Sequence, residues 1–343
     1  MRRVYIPKPD GRRRPLGIPT VRDRVTQMAA KMVIEPIFEA GFKDCSYGFR
    51  PKRSAHQAIK AVTKAAGKSS WVVEADIVGF FDNINHEKLL LLVGLRVSDR
   101  RILKLVRQWL GAGVMDAGEF QESDLGSPQG GVISPLLANI YLNYLDTLWE
   151  RHAKHLGVLV RYADDLVVLC RTRRDAEKAL AYLKHIFSRL ELEMHPAKTR
   201  LANLWDGQEG FDFLGFHHRK AISKNGIKLL ASWPSKKAMK NMRVKVKELT
   251  APRSGLWRPL GEVVQELNTR TRGWGQYYGV GWVFRQFAAL DLYVAQRLTL
   301  FMNNKTRRRR GLYSRGFTYE FFKAQGLLRL YDLTRWHALH AAG

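Results

Sequence analysis

Two adjacent carboxylates between apolar runs most constrain how this chain can fold. Asp164 and Asp165 separate the runs 158–161 and 166–170, which are short and rich in branched apolar side chains. Runs of this length and composition, bounded by Gly157 and by a cluster of arginines, predict a β-hairpin. The acidic pair then forms the tip of the hairpin.

An acidic tip of this kind needs a partner of opposite charge. Two neighbouring anions repel each other, and placing them at the end of a buried hairpin costs free energy unless a cation neutralises them. Hard carboxylate oxygens suit Mg²⁺, which keeps several waters and is completed by substrate phosphates. The alternative is an ordinary turn in which Asp supplies only turn chemistry.

A third carboxylate favours the metal site. Asp76 lies in another strand-like run, 71–78, which stops at Gly79. Three carboxylates at two strand ends can hold two metal ions that clamp the attacking and leaving oxygens of a phosphoryl displacement. This reaction depends on positioning and charge stabilisation, so the site needs no nucleophilic Ser or Cys. We therefore expect two Mg²⁺ ions at Asp76, Asp164 and Asp165.

The segment 127–137 predicts a loop followed by a helix. Gly130 and Gly131 allow a close approach of the backbone to another group. Ser134 is a favourable N-cap, and Pro135 is a favourable first helical residue. The apolar residues that follow recur at helical spacing and would bury one face of the helix that presents the loop.

In this order and at these separations, the motifs resemble those of reverse transcriptases. Tyr-Ala-Asp-Asp at 162–165 is similar to the catalytic motif, residues 76–82 resemble the preceding palm motif, and residues 127–137 resemble the motif that lines the nucleotide pocket. The resemblance implies that three of these carboxylates are catalytic and bind metal. The implied metal ligands are Asp76, Ile77, Asp164 and Asp165, and the implied catalytic residues are the three aspartates.

Further segments narrow the resemblance to group II intron reverse transcriptases. Residues 6–11 and 14–19 look like the fingers segment of these enzymes, and residues 46–51 continue the pattern. Residues 195–199 and 211–216 resemble the two motifs that follow the catalytic hairpin. The implied nucleotide-binding residues are Lys8, Arg14, Phe81, Gln129 and Lys198. The implied support for the primer end consists of Phe213, Leu214 and Gly215.

One aromatic side chain receives a specific role from this resemblance. Phe81, five residues after Asp76, matches the position at which the family excludes a ribose 2′-hydroxyl sterically. Its neighbour Phe80 is expected to pack in the core. A core position is also compatible with the role implied for Phe213.

The charge of the chain points to a polyanionic partner. There are 58 Lys and Arg residues against 31 Asp and Glu residues, which gives a net charge of +27. Residues 230–343 carry 21 of the basic and six of the acidic side chains. Such a balance predicts strong, sequence-independent attraction to nucleic acid through phosphate contacts.

The basic C-terminal third is predicted to be helical. Apolar residues at 239, 242, 246 and 249 share one helical face, and basic residues crowd the remainder. In isolation this pattern also suits a membrane surface or a partner helix. The block 267–279 resembles the maturase, or X, region that forms the thumb of group II intron proteins. The candidate RNA-binding residues are Lys240, Arg243, Lys247, Arg270 and Arg272.

Several classes of protein are disfavoured by the sequence. No apolar stretch is long enough to span a membrane, and no signal peptide is expected. The two cysteines, Cys45 and Cys170, exclude a disulfide scaffold and fit a reducing compartment, either a bacterial cytoplasm or an organelle matrix. Neither has zinc-site spacing, so we expect no endonuclease domain. The oligomeric state is left open.

The predicted fold is α+β, a right-hand polymerase with fingers, an antiparallel palm sheet and a helical thumb. A helix over 175–190 is expected to cover the palm sheet. The expected divisions are fingers at 1–70, palm at 71–230 with a fingers insertion near 90–125, thumb and maturase domain at 231–305, and a basic segment at 306–343.

The function expected from the resemblance is that of an RNA-directed DNA polymerase which also assists intron splicing and mobility. Its expected partners are structured intron RNA, an RNA template with a DNA primer, and a deoxynucleoside triphosphate. One alternative is an RNA-binding splicing cofactor whose polymerase site is unused, against which the intact Asp76, Asp164 and Asp165 argue. Another is a reverse transcriptase of a defence or diversity-generating system, against which the maturase-like block argues.

Overall fold

The computed structural model describes residues 1–7, 13–112, 114–116, 119–121, 126, 130–223, 226–251, 255–306 and 317–334. The chain divides into two compact units, Met1–Leu214 and Gly215–Gly343. Among the described residues, no helix combines the length and the hydropathy that crossing a membrane requires.

The first unit mixes helices with short strands. Its strands are β1 (Arg2–Pro7), β2 (Arg13–Ile18), β3 (Trp71–Ala75), β4 (Val114–Asp116), β5 (Glu119–Gln121), β6 (Val158–Tyr162), β7 (Asp165–Cys170), β8 (Arg200–Asn203) and β9 (Gly210–Phe213). Its α-helices are α1 (Val21–Glu39), α2 (Ala55–Ala66), α3 (His86–Gly94), α4 (Arg100–Leu110), α5 (Ser134–Leu148) and α6 (Arg173–Arg189).

The sheet at the centre of this unit has the order β6-β7-β3-β8 and is antiparallel throughout. Helices α2 and α6 pack on it, so the strands are buried apart from their ends, which explains their nearly continuous apolar sequences. The predicted hairpin is confirmed, since β6 and β7 pair from Val158 opposite Leu169 to Tyr162 opposite Asp165.

The strand expected over 71–78 is shorter than predicted. It leaves the central sheet after Ala75, and the next residues pair with a different segment. The amide of His195 donates to the carbonyl of Asp76 over 2.8 Å, and the amide of Val78 donates to the carbonyl of Glu193 over 2.9 Å. The backbone hydrogen bonds of 76–78 are therefore satisfied by a segment that follows α6, which a local pattern could not reveal.

The helices near the sheet largely follow the sequence pattern. Helix α6 begins after the N-cap Thr172, whose side chain accepts a hydrogen bond from the amide of Asp175, and it matches the helix expected over 175–190 within two residues at each end. The prediction of Ser134 as an N-cap is wrong, because Ser134 is already the first residue of α5 and Ile133 occupies the cap position. The amide of Ser134 bonds the carbonyl of Gly131, which starts the turn one residue early.

A second sheet lies in the N-terminal part of the same unit. Its order is β2-β1-β4-β5, with β1 and β2 paired from Arg2 opposite Ile18 to Pro7 opposite Arg13. Strand β4 joins in parallel at Arg2 opposite Met115. The hairpin β4–β5, within the expected fingers insertion, thus adds to the N-terminal hairpin, while the division into fingers and palm stays a prediction.

The second unit is a β-hairpin followed by helices. Its elements are β10 (Phe216–Ile222), β11 (Lys228–Pro234), α7 (Lys236–Thr250), α8 (Leu260–Tyr278), α9 (Phe284–Lys305) and α10 (Tyr319–Ala324). Helix α7 is capped by the side chain of Ser235, and its apolar face packs with α8 and α9 around a buried aliphatic and aromatic core. The helical character expected for the basic C-terminal third is confirmed, although the hairpin 216–234 belongs to the same unit.

Candidate active site

A cavity of about 440 Å³ in the first unit brings together most of the described residues that the sequence predicts for the catalytic and nucleotide sites. It lies where β3 ends, where the β6–β7 hairpin turns and where α5 begins. Its lining residues are Leu16, Phe49, Asp76, Ile77, Gly79, Phe80, Phe81, Asp82, Gly130, Gly131, Ser134, Pro135, Asp164 and Lys198.

Asp76 and Asp164 reach the cavity from two different strand ends. Asp76 is the first residue beyond β3, and Asp164 is the second residue of the two-residue turn between β6 and β7. The turn is tight because Ala163 adopts a left-handed conformation with φ of 55°. Asp165 is the first residue of β7, is exposed and is not among the described residues that line the cavity.

Lys198 contacts one of the two carboxylates directly. Its Nζ atom lies 2.6 Å from Oδ2 of Asp76, and both side chains are partly exposed. Lys198 was predicted to bind nucleotide, and the structure places it in the cavity with its ammonium group on Asp76. A cation at this carboxylate offsets the negative charge of Asp76.

The donor atoms of the cavity suit a hard divalent cation. Asp76 and Asp164 supply carboxylate oxygens, and Ile77 lines the same space. Mg²⁺ is commonly bound through one or two carboxylates together with substrate phosphates. Within the described parts of the chain, no three His, Cys, Asp or Glu side chains converge as a ready metal site. The protein residues therefore fit part of a coordination shell that a bound substrate would complete.

Two phenylalanines of the 3₁₀ turn Phe80–Asp82 face different surroundings. The left-handed Gly79, with φ of 49°, starts this turn. Phe80 is 2% exposed, which confirms its expected place in the core. Phe81 is half-buried beside the cavity, and its ring meets that of Phe80 edge to face at 5.2 Å. Phe81 lines the cavity, and its role as a sugar gate stays a prediction.

The glycine loop before α5 is held against the N-terminal hairpin. A Cβ atom at Gly130, where φ is 122°, would lie 2.7 Å from the carbonyl oxygen of Gly17. The buried Gln27 accepts a hydrogen bond from the amide of Val132 over 2.9 Å. The predicted nucleotide ligands Lys8 and Gln129 lie outside the described residues, as does the side chain of Arg14.

The residues predicted to support the primer end lie on both sides of the point in the sequence at which the chain divides into two units. Phe213 is 4% exposed at the end of β9 in the first unit, and Leu214 follows it with φ of 51°. In the second unit, Gly215 has φ of 79°, and a Cβ atom there would lie 2.5 Å from the hydroxyl oxygen of Tyr278. Their contact with a primer stays a prediction.

The predicted RNA-binding residues all lie on the surface of the second unit. Lys240, Arg243 and Lys247 are exposed on α7, and the guanidinium of Arg243 also lies 5.7 Å from the ring centre of Tyr293. On α8, Arg272 is exposed, whereas Arg270 donates to Oε1 of Glu266 over 2.8 Å.

Sequence reasoning missed a buried ion pair behind the hairpin tip. Arg161 and Asp146 are both fully buried, with the Arg161 Nη2 and Asp146 Oδ2 atoms 2.5 Å apart. The only signal in the sequence is a charged residue inside the otherwise apolar run 158–161. Phe49, with φ of 57°, also lines the cavity. The sequence motif 46–51 that contains it does not predict this role.

Two family models match consecutive parts of the chain. Residues 6–218 match the model described as reverse transcriptase (RNA-dependent DNA polymerase). Residues 239–317 match the model described as group II intron, maturase-specific domain.

Individual relatives are similar to this chain over different shares of its length. Protein YkfC of Escherichia coli is 36% identical over 275 residues, which cover 69% of this chain and 71% of the relative. The group II intron-encoded protein LtrA of Lactococcus lactis is 45% identical over 147 residues, covering 43% of this chain but 24% of LtrA.

A similar fold occurs in a solved telomerase. The structure of apo telomerase from Candida tropicalis aligns with a TM-score of 0.53 and 11% identity, covering 96% of this chain and 62% of the telomerase chain. This likeness shows that the fold is that of a polymerase of the reverse transcriptase type. With the family matches and the carboxylate-lined cavity, it follows that the chain belongs to the reverse transcriptases, which are RNA-dependent DNA polymerases, and that it carries a group II intron maturase-specific domain.

Proposed function

We propose that this chain copies RNA into DNA at the cavity in the first unit and binds intron RNA through the second unit to assist splicing and mobility. The observation that carries the polymerase half is the convergence of Asp76, Asp164 and Phe81 on one cavity. The maturase-specific domain supports the RNA-binding half.

Reverse transcriptases as a family use divalent metal ions. We propose two Mg²⁺ ions here, with Asp76, Asp164, Asp165 and the backbone of Ile77 as protein ligands. When bound, the ions would lower the pKa of the primer 3′-hydroxyl and neutralise charge on the triphosphate. The carboxylates fix where that charge is held, and Phe81 beside the cavity strengthens the electrostatic interaction by limiting water.

The remaining residues would orient the nucleotide. Lys198, whose ammonium group lies 2.6 Å from Oδ2 of Asp76, would contact a phosphate oxygen of the bound nucleotide instead. Lys8, Arg14 and Gln129 would complete the nucleotide site, and Phe213, Leu214 and Gly215 would support the primer end. A lysine with three rotatable donors suits such an exchange.

A splicing cofactor with an unused polymerase site is the second candidate. If the polymerase site were unused, nothing would require the carboxylates to lie together. In the structure, Asp76 and Asp164 line one cavity, and Asp76 forms an ion pair with Lys198 there. The maturase-specific match argues against a defence or diversity-generating enzyme.

Substitution of Asp164 tests the polymerase. Asp164→Asn keeps the shape of the turn but removes the charge that would hold metal, so we expect primer extension on an RNA template to fall by at least about 100-fold. The matched control is Asp206→Asn, an exposed turn aspartate of the same unit, which should retain activity. Undiminished synthesis by Asp164→Asn would contradict the assignment.

A further inference from the structure

The guanidinium of Arg161 is the centre of a buried hydrogen-bond network behind the hairpin tip. The side chain is fully buried, and each of its three nitrogens donates a hydrogen bond. Its Nε donates to Oδ1 of Asp146 over 2.9 Å, and its Nη2 donates to the hydroxyl of Ser46 over 2.8 Å. Its Nη1 donates to the side-chain oxygen of Asn139 over 3.2 Å and to the carbonyl of Ala163 over 2.9 Å.

The hydrogen bond to Ala163 reaches the active site most directly. The carbonyl of Ala163 belongs to the peptide group that also contains the amide of Asp164. Because Ala163 has φ of 55°, a non-glycine residue there is held in a conformation that it would rarely adopt alone. A hydrogen bond from a buried guanidinium fixes the orientation of this peptide and thereby the direction in which the Asp164 side chain leaves the turn.

The other face of the turn is closed by backbone packing. A Cβ atom at Gly48 would lie 2.4 Å from the amide nitrogen of Ala163, so only glycine fits. The carbonyl of Gly48 accepts a hydrogen bond from Nδ2 of Asn139 over 2.8 Å. The amide of Tyr47 donates to the carbonyl of Arg161 over 2.9 Å, which ties the same loop to β6.

Asp146 and Asn139 both lie on α5, the helix whose first residues line the cavity. The network therefore connects the tip that carries Asp164 to the element that carries Ser134 and Pro135. Replacing a buried ion pair by apolar residues of similar size is often neutral or stabilising, but in some proteins such a pair specifies one geometry. The Arg161–Asp146 ion pair behind the turn is therefore suited to holding Asp164 in one orientation.

The electrostatics agree with a permanently charged Arg161. Burial, the largest single effect, lowers the pKa of the guanidinium, but the Asp146 carboxylate and other nearby groups together raise it more, so the pKa lies above its ordinary value. The positive charge is also close enough to Asp164 to interact with its carboxylate.

We infer that Arg161, supported by Asp146, Asn139 and Ser46, is a positioning residue that sets the orientation of Asp164 for metal binding. The inference rests on the proposed function of Asp164. It predicts that weakening the network raises the metal requirement of the enzyme, an effect that a purely structural ion pair would not have.

The test compares variants of the whole chain in primer extension titrated with Mg²⁺. Asn139→Ala removes the hydrogen bond that Asn139 accepts from Arg161 and the one that it donates to the carbonyl of Gly48. Ser46→Ala removes the hydrogen bond that Ser46 accepts from Arg161. We expect the Mg²⁺ concentration for half-maximal activity to rise by about 10-fold for Asn139→Ala and by less for Ser46→Ala. At saturating Mg²⁺, the KM for nucleotide should stay within about threefold of the wild-type value, because neither residue is among the described residues that line the cavity.

The matched control is Tyr141→Phe on the same helix. Tyr141 is buried and donates to the carbonyl of Leu190 over 2.6 Å, away from the hairpin tip. Removal of this hydroxyl should lower the thermal unfolding midpoint to an extent comparable with Asn139→Ala and leave the Mg²⁺ dependence unchanged. Arg161→Lys, which keeps the charge but loses the planar fork, should raise the Mg²⁺ requirement further if it folds.

The positioning role is overturned if Asn139→Ala keeps the wild-type Mg²⁺ dependence, or if Tyr141→Phe shifts it equally. Failure of the proposed function would look different, because Asp164→Asn would then remain active. A direct measurement of Mn²⁺ binding by electron paramagnetic resonance supplies a readout besides activity. The affinity should fall in Asn139→Ala and stay unchanged in Tyr141→Phe.

Discussion

At the scale of single residues, the cavity combines groups that are far apart in the sequence. Asp76 and Lys198 are separated by 122 positions and form an ion pair at 2.6 Å. Phe81 and Asp164 come from different strand ends and line the same space. The role proposed for each of these side chains can be tested separately by substitution.

Phe81 is expected to select the sugar. Phe81→Ala removes the ring beside the cavity and leaves room for a 2′-hydroxyl, so the variant should incorporate ribonucleotides at least about 10-fold more readily relative to deoxynucleotides. Competition between the two nucleotide types in primer extension measures the change. Phe80→Ala is the control: it should lower stability by about 3–5 kcal/mol because Phe80 is buried in the core, without altering selection. Relaxed selection in Phe80→Ala alone would contradict this assignment.

Glu74 is expected to make stability depend on pH. Burial raises the pKa of its carboxyl to about 7. Arg200, whose Nη2 atom lies 2.6 Å from Oε1 of Glu74, lowers that pKa by less than burial raises it. Between about pH 4.5 and pH 7 the unfolded chain releases this proton while the folded chain keeps it.

The free energy of unfolding should therefore fall as the pH rises through this window, by at most about 3 kcal/mol. Urea unfolding at pH 5 and at pH 7.5 measures the difference. Glu74→Gln should remove this part of the pH dependence, whereas Glu177→Gln, at an exposed site, should preserve it. An unchanged pH dependence in Glu74→Gln would show that Glu74 is ionised throughout.

At the scale of elements, α7 has two chemically distinct faces. Met242 and Val246 are buried in the core of the second unit, while Lys240, Arg243 and Lys247 are exposed. The exposed positions recur at intervals of three and four residues, so they lie along one side of the helix. A row of cations at this spacing suits a phosphate backbone.

Neutralising these three residues together should weaken binding to structured RNA. The log–log dependence of affinity on salt should become shallower by about 0.7–0.9 for each phosphate that the variant no longer neutralises, and affinity should fall similarly for RNAs of different sequence. Filter binding at several salt concentrations measures both. The control neutralises Arg174, Lys178 and Lys184, three exposed basic residues of α6 in the first unit. Equal weakening by both sets would mean that net charge, rather than α7, determines affinity.

At the scale of the whole molecule, the two units correspond to the two matched families. The reverse transcriptase match ends at residue 218 and the maturase-specific match begins at residue 239, while the structural division falls between Leu214 and Gly215. This arrangement suggests that polymerisation and splicing assistance can be impaired separately.

Replacing Arg270 and Arg272 by Gln should separate the two activities. Splicing of intron RNA should decrease more than primer extension on an unstructured template, and Arg272→Gln should account for most of the decrease. The reason is that Arg270 already forms an ion pair with Glu266, whereas Arg272 is exposed. Hydrogen bonds from Arg258 and, to a lesser extent, from Arg270 hold the pKa of the Glu266 carboxyl below its usual range.

The control for this double variant is Arg285→Gln with Lys323→Gln, at exposed positions of the same unit. Both activities should stay near the wild-type level. Equal impairment of splicing and polymerisation in the Arg270 and Arg272 variant would mean that this region serves polymerisation only.

Local sequence patterns were sufficient for the elements that carry the chemistry. Continuous apolar runs predicted the β6–β7 hairpin, and apolar residues at helical spacing predicted α6, because these patterns follow from which faces of each element are buried. Carboxylates at strand ends predicted Asp76 and Asp164, since an acidic residue beside a buried run requires a charge partner.

Only the tertiary structure decided how these elements meet. It placed Lys198 on Asp76, continued the 71–78 run onto the segment after α6, and buried Arg161 against Asp146 behind the tip that carries Asp164. These are pairings between distant segments, and their free energy depends on burial and on partner geometry that no local period records. The sequence by itself therefore determined which carboxylates and strands this protein has, whereas long-range packing determined how the turn that carries Asp164 is held.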